Sequence, residues 1–149
     1  MSKPIKVNTA TLKAEVEAWV QKWQPRLHIP EWHLIVQVVE PDTLWTSKHQ
    51  AAAQIDWQSE YLNATIKVAP EARAFPEELY HPLEYCVLHE LCHLLSAHLV
   101  DAVDDAVVAL VGAPRKTAAE QVRRGEEELT ERIARLVWKA YQEEEPTGV

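Results

Sequence analysis

Residues 83–100 read LEYCVLHELCHLLSAHLV, and the arrangement of the rest of the chain follows from how this stretch is read. Wound as a helix, it is apolar around most of its circumference, so it belongs in the middle of a domain rather than on its surface. His89, Glu90 and His93 interrupt it. An unpaired polar group inside a protein costs roughly 2–7 kcal/mol, so these three need partners. Their order is H-E-x-x-H. A separation of four residues sets both imidazoles on one helix face, one turn apart, where two nitrogens can take two corners of a zinc tetrahedron. Glu90 lies about 100° around the helix from His89. It therefore does not compete as a ligand on that face and is placed to act as a general base on a water beside the metal.

A catalytic zinc usually takes three protein ligands, so a third is sought elsewhere. His98 stands five residues past His93, about 140° around a continuing helix and on the wrong side, with no glycine between them to redirect the chain. Glu126, Glu127 and Glu128 open the last helical stretch. Register separates them. Glu127 lines up with Thr130 and Ala134, short side chains that let one helix lie close against another, while Glu126 is on the side of Leu129 and Ile133. Glu128 shares its side with Glu131, Arg132 and Arg135 and faces water. The order of candidates is Glu127, then Glu126, then His98.

Working outward, Asn8 or Thr9 can cap a first helix that Pro25 would stop, with Leu12, Val16, Trp19, Val20 and Trp23 forming one apolar stripe. Residues 32–40 (WHLIVQVVE) are rich in β-branched side chains and read as a strand. Residues 50–59 alternate at Ala51, Ala53, Ile55 and Trp57, and Tyr61-Leu62-Asn63 can turn the chain into a further strand at 64–69. Thr65 and Lys67 in that strand suggest one wet face and a sheet edge. The central helix is expected to run to about Val100, followed by a short helix over 101–111 closed by Gly112 and Pro114. A long helix over 117–141 comes last, burying Leu129, Ile133, Leu136, Val137 and Ala140. Residues 142–149 read as a frayed tail. The expectation is one α+β domain over 1–149: an N-terminal helix, a three-stranded sheet with an edge strand, a central H-E-x-x-H helix and a long C-terminal helix.

Charge and composition narrow the function classes. A net charge of −8 disfavours contact with phosphate backbones, so nucleic acid is not expected as a partner. The basic group Arg115, Lys116, Arg123 and Arg124 is diluted by Glu120 and reads as a solvated face, as do Asp101, Asp104 and Asp105. No run of about 18 apolar residues suggests a membrane span, and the start lacks the apolar core of a secretory signal. Cys86 and Cys92, six residues apart on one helix, are about 9 Å apart and beyond disulfide reach. Buried thiols in a reducing compartment, with cytoplasmic localisation, are expected.

HELCH at 89–93, followed from residue 126 by EEELTERIARLV, resembles the gluzincin branch of the zinc peptidases and, in size, the compact minigluzincin domains. The resemblance spans residues 32–141 and implies a zincin-like fold with Zn2+ as cofactor. It also implies Glu127 as third ligand, with Glu131, four positions on, steadying a zinc-bound histidine. Glu131 departs from the Asp or Asn commoner at that place. A strand-rich half with an edge strand holding an extended peptide or protein substrate would correspond to residues 50–69. The implied activity is peptide-bond hydrolysis with Glu90 as base; Tyr80, His81, His98 and Tyr141 are available as a second oxyanion donor. SprT-like proteases share HELCH but take a third histidine well downstream, and none follows His98 here. Two alternatives remain: a non-catalytic, zinc-stabilised peptide-binding module, and a regulatory protease with a single protein target. Glu90 favours an enzyme over the first, because a structural site needs no base.

Overall fold

The computed structural model describes residues 8–40, 44–46, 49–50, 52–70, 82–110 and 112–144. Helix α1 (Thr9–Arg26) starts where Asn8 accepts the Ala10 N–H at 3.0 Å, a side-chain cap for one of the helix's unpaired first donors. Its inner stripe is the one the sequence indicates: Leu12, Val16, Val20 and Trp23 are buried and Trp19 packs against them. Each such side chain contributes roughly 1.5–3 kcal/mol on full burial. The helix runs one residue past Pro25.

The sheet has strands β1 (His33–Val38), β4 (Ala53–Gln58) and β5 (Asn63–Val68) in the order β1-β5-β4. β1 runs parallel to β5, and β4 runs antiparallel to it. Two short segments, β2 (Trp45–Thr46) and β3 (His49–Gln50), pair separately. The strand expected at 50–59 is thus divided, and only residues 53–58 join the main sheet. A single 3-10 turn (Ser59–Tyr61) and Leu62, in the left-handed conformation at φ 51, carry β4 into β5. The expectation that 64–69 forms a sheet edge is corrected, because β5 is the central strand. Alternating Thr65 and Lys67 report which face of a strand is wet. Whether both backbone edges are paired is a separate matter on which alternation is silent. The edge near the core helix is β4.

Helix α2 (Leu83–His93) lies across this sheet and against α1, with Val87, Leu88 and Leu91 fully buried. It does not continue to Val100. Leu94, Leu95 and Ser96 donate to the carbonyls three residues back, at 3.1, 3.1 and 3.2 Å, a tightened turn. Helix α3 (Ala97–Val108) then departs at 59° to α2. After the bend Leu94 and Ala97 are buried in the core, while Leu95 and Leu99 are exposed. No single helix among the described residues is long and apolar enough to cross a membrane. Cys86 and Cys92 are thiols, and burial pushes them up to about 11 and about 12.

Helix α4 (Ala113–Glu144) begins four residues earlier than expected. Pro114 sits in its first turn, where a missing N–H is harmless, and Gly112 at φ +74 makes the entry. Its buried face also differs from the expected one. Leu129 and Leu136 are 48% and 70% exposed and Ala140 is exposed, whereas Thr130 and Ala134 are fully buried against α2. Ile133, Val137, Trp138 and Tyr141 flank that seam. Small residues rather than leucines make the contact because they allow the backbones to approach. Of the C-terminal tail, residues 142–144 are helical and 145–149 lie outside the described residues.

Candidate metal centre

The α2–α4 seam is where the polar residues of the central helix find their partners. His89 and His93 project from one face of α2, their rings 5.1 Å apart. Glu127 enters from α4, with its Oε2 3.6 Å from His89 Nε2 and its Oε1 3.8 Å from His93 Nε2. One ligand atom from each of the three residues lies within 4.8 Å of the others, an arrangement able to hold a metal ion. Thr130 and Ala134 bring Glu127 this close, one and two turns further along α4.

The remaining ring nitrogens are also engaged. His89 Nδ1 lies 2.9 Å from Glu131 Oε2. His93 Nδ1 meets Glu126 Oε1, and Thr130 Oγ1 is 3.4 Å from the same nitrogen. A carboxylate accepts, so each Nδ1 carries a hydrogen, and in the neutral ring the Nε2 lone pair on the Glu127 side is the one available to a metal. Glu131 is itself held: Tyr85 donates its hydroxyl at 3.1 Å and Arg135 its Nε–H at 2.6 Å, both to Oε1. His93 and Glu126 are close to dry, with side chains 7% and 11% exposed, while Glu127 is 52% exposed and marks the open side.

Glu90 points from α2 toward the sheet, where its Oε2 accepts the Ile55 N–H at 3.0 Å. That N–H is turned away from β5, so β4 presents to the site the edge that no other described strand pairs, and in an antiparallel ladder Ala53 and Trp57 share that direction. Trp57 lies almost flat against His93, centroids 6.1 Å apart and planes 20° apart.

The electrostatics follow from this packing. Burial pushes the Glu90 carboxyl up to about 7, against the pull of His93 and His89. Burial works against charge on both imidazoles, yet the surrounding carboxylates outweigh it and both are raised: Glu127, Glu90 and Glu131 for His89, and Glu126, Glu90 and Glu127 for His93. Glu127 is lowered, chiefly by His89. Burial opposes ionisation of Glu131, but its bonds with Arg135, Tyr85 and His89 hold it low.

Of the residues singled out from sequence, His89, Glu90, His93, Glu127, Glu126 and Glu131 come together here. His98 does not: it is exposed on α3, beyond the bend, with its ring 6.1 Å from that of Trp32. Tyr141 packs on Trp23 at 4.9 Å, and Tyr80 and His81 lie outside the described residues. Asp101, read as part of a solvated cluster, is instead bonded by Trp57 and Ser59. Tyr85 was not singled out, although its spacing of four from His89 put it on the ligand face. Glu126 contacts an imidazole through its outer nitrogen, a role that register alone does not separate from ligation. Comparison with protein-family models, with curated proteins and with solved structures returns no match.

Proposed function

We propose that this protein is a zinc-dependent peptide-bond hydrolase of gluzincin-like type, with a zincin-like arrangement of helix and sheet around its centre. One observation carries the reading. Two imidazole Nε2 atoms and a carboxylate converge on one point while each Nδ1 is held by a further carboxylate. Two imidazoles kept in the Nε2-lone-pair form beside one carboxylate are a donor set suited to zinc, and carboxylate–histidine pairs are its usual supports. His89, His93 and Glu127 would hold the ion. When bound, zinc supplies Lewis acidity that polarises a carbonyl and acidifies a water.

The chain's own groups account for the rest. Glu90 takes a proton from the attacking water and passes it to the leaving amine as the C–N bond breaks. The Ile55 N–H fixes one oxygen of Glu90, and the other would serve as the base. The outer edge of β4, unpaired among the described strands, offers backbone donors and acceptors to an extended peptide or protein substrate lying beside the site. Glu90 separates this reading from a zinc-stabilised binding module, since a purely structural site has no use for a base at that position.

Zinc content by metal mass spectrometry, together with cleavage of a peptide library, tests the proposal. Wild type should hold about one zinc per chain, Glu127→Ala should retain far less, and Glu90→Gln should keep the metal while losing hydrolysis. A wild-type protein that takes up no zinc when the metal is supplied, or a Glu90→Gln variant as active as wild type, overturns it.

A further inference from the structure

His93 is more enclosed than His89, with its side chain 7% against 17% exposed, and part of its surroundings comes from a residue far outside the H-E-x-x-H motif. Its Nδ1 is fixed by Glu126 and Thr130, and the Trp57 ring stacks nearly parallel to it, centroids 6.1 Å apart. Trp57 is fixed in turn. Its Nε1–H donates to Asp101 Oδ1 at 3.1 Å, and the other oxygen of Asp101 accepts the Ser59 hydroxyl. Trp57 and Ser59 stand two residues apart at the end of β4, so a single carboxylate grips both the ring and the strand end that carries it. Asp101 belongs to α3, which leaves His93 through the tight turn at 94–96. The contacts therefore close a loop: His93, the bend, α3, Asp101, Trp57, and back to the face of His93.

We infer that Asp101 is a positioning residue for the metal centre, setting the plane of the His93 imidazole by locking Trp57 against it. This rests on the zinc reading above. The indole N–H and the Ser59 hydroxyl each donate to a different oxygen of one carboxylate, and bonds to an ionised acceptor are stronger than neutral ones. With the acceptor removed, the indole can rotate away from the imidazole, and His93 keeps only its in-plane restraint at Nδ1. Outer partners of metal-bound histidines typically change affinity by 10–100-fold when removed. A contact transmitted through a stacked ring belongs at the lower end of that range.

The test is a mutant cycle read by zinc affinity in chelator competition and by the visible absorption of the cobalt-loaded protein. Asp101→Ala should bind zinc on the order of tenfold more weakly than wild type and alter the cobalt bands. Ser59→Ala, which leaves the Trp57 bond in place, should lose less. Trp57→Phe retains a ring but no N–H, and adding Asp101→Ala to it should cost almost nothing further. Zinc affinity and cobalt bands unchanged in Asp101→Ala, even with lowered thermal stability, would reduce Asp101 to a structural tie and overturn the inference while the metal reading stands. The same follows if the full loss persists in the Trp57→Phe background. A wild type that binds neither metal removes the metal reading itself, and this inference with it.

Discussion

Helix α2 hides its polar residues inside an apolar stretch, whereas α4 hides a few small residues inside a charged one, and the candidate centre forms where the two meet. On α2 the polar groups are the exceptions, so each stands out: His89, Glu90 and His93 all lie among buried leucines and valines. On α4 carboxylates are the rule. What distinguishes Glu126, Glu127 and Glu131 from Glu128 is only the angle at which each leaves the Thr130–Ala134 seam. Polar residues on an apolar helix advertise function by their cost. Polar residues on a polar helix acquire it from what the helix packs against.

The largest effect should come from α2. His93→Ala removes a proposed ligand and also strands Glu126, a carboxylate only 11% exposed whose partner it is. Leaving a buried charge unpaired costs about 3–5 kcal/mol, so urea unfolding of the metal-free protein should show a loss of that size. Glu127→Ala, at a 52% exposed side chain, should leave metal-free stability nearly unchanged while reducing zinc retention. Equal losses of stability in the two variants would break the contrast between the helices.

Next in size is a change at the seam. Ala134 is fully buried where α4 meets α2. Ala134→Leu forces the helices apart or off their rotamers, at about 1–3 kcal/mol, and should weaken zinc binding as well, because Glu127 reaches the imidazoles only through that close approach. A variant as stable as wild type and with unaltered zinc affinity would mean that α4 does not seat on Ala134.

These two helices also mark how far the sequence could be read. The α1 stripe and the H-E-x-x-H face were legible because one helix's own periodicity determines them. The close packing of Thr130 and Ala134 was legible too, since small residues one turn apart have few other uses. The bend after His93 was not: Leu94, Leu95 and Ser96 contain no glycine or proline to announce the tightened turn there. The pairing of Asp101 with Trp57 depends on that bend and was hidden with it. The central place of β5 was hidden for a similar reason, because its second neighbour, β1, arrives from a distant part of the chain in parallel register.

The smallest expected effect bears on the one face of α4 that sequence assigned wrongly. Leu129 and Leu136 recur seven apart beside Ile133 and suggest a buried stripe, yet Leu136 is 70% exposed. Hydrophobic spacing identifies a stripe but not its rotation, and on α4 the stripe is displaced by the demand that Glu126, Glu127 and Glu131 face the imidazoles. A helix that must present both carboxylates and core residues to the same neighbour cannot give its whole inner face to leucine. Leu136→Ala should therefore change the unfolding free energy by no more than about 0.5 kcal/mol, as for an ordinary surface position. Leu91→Ala, in the core of α2, should cost about 2–5 kcal/mol. A loss at Leu136 comparable with that at Leu91 would rotate α4 about its axis and carry Glu127 away from His89 and His93.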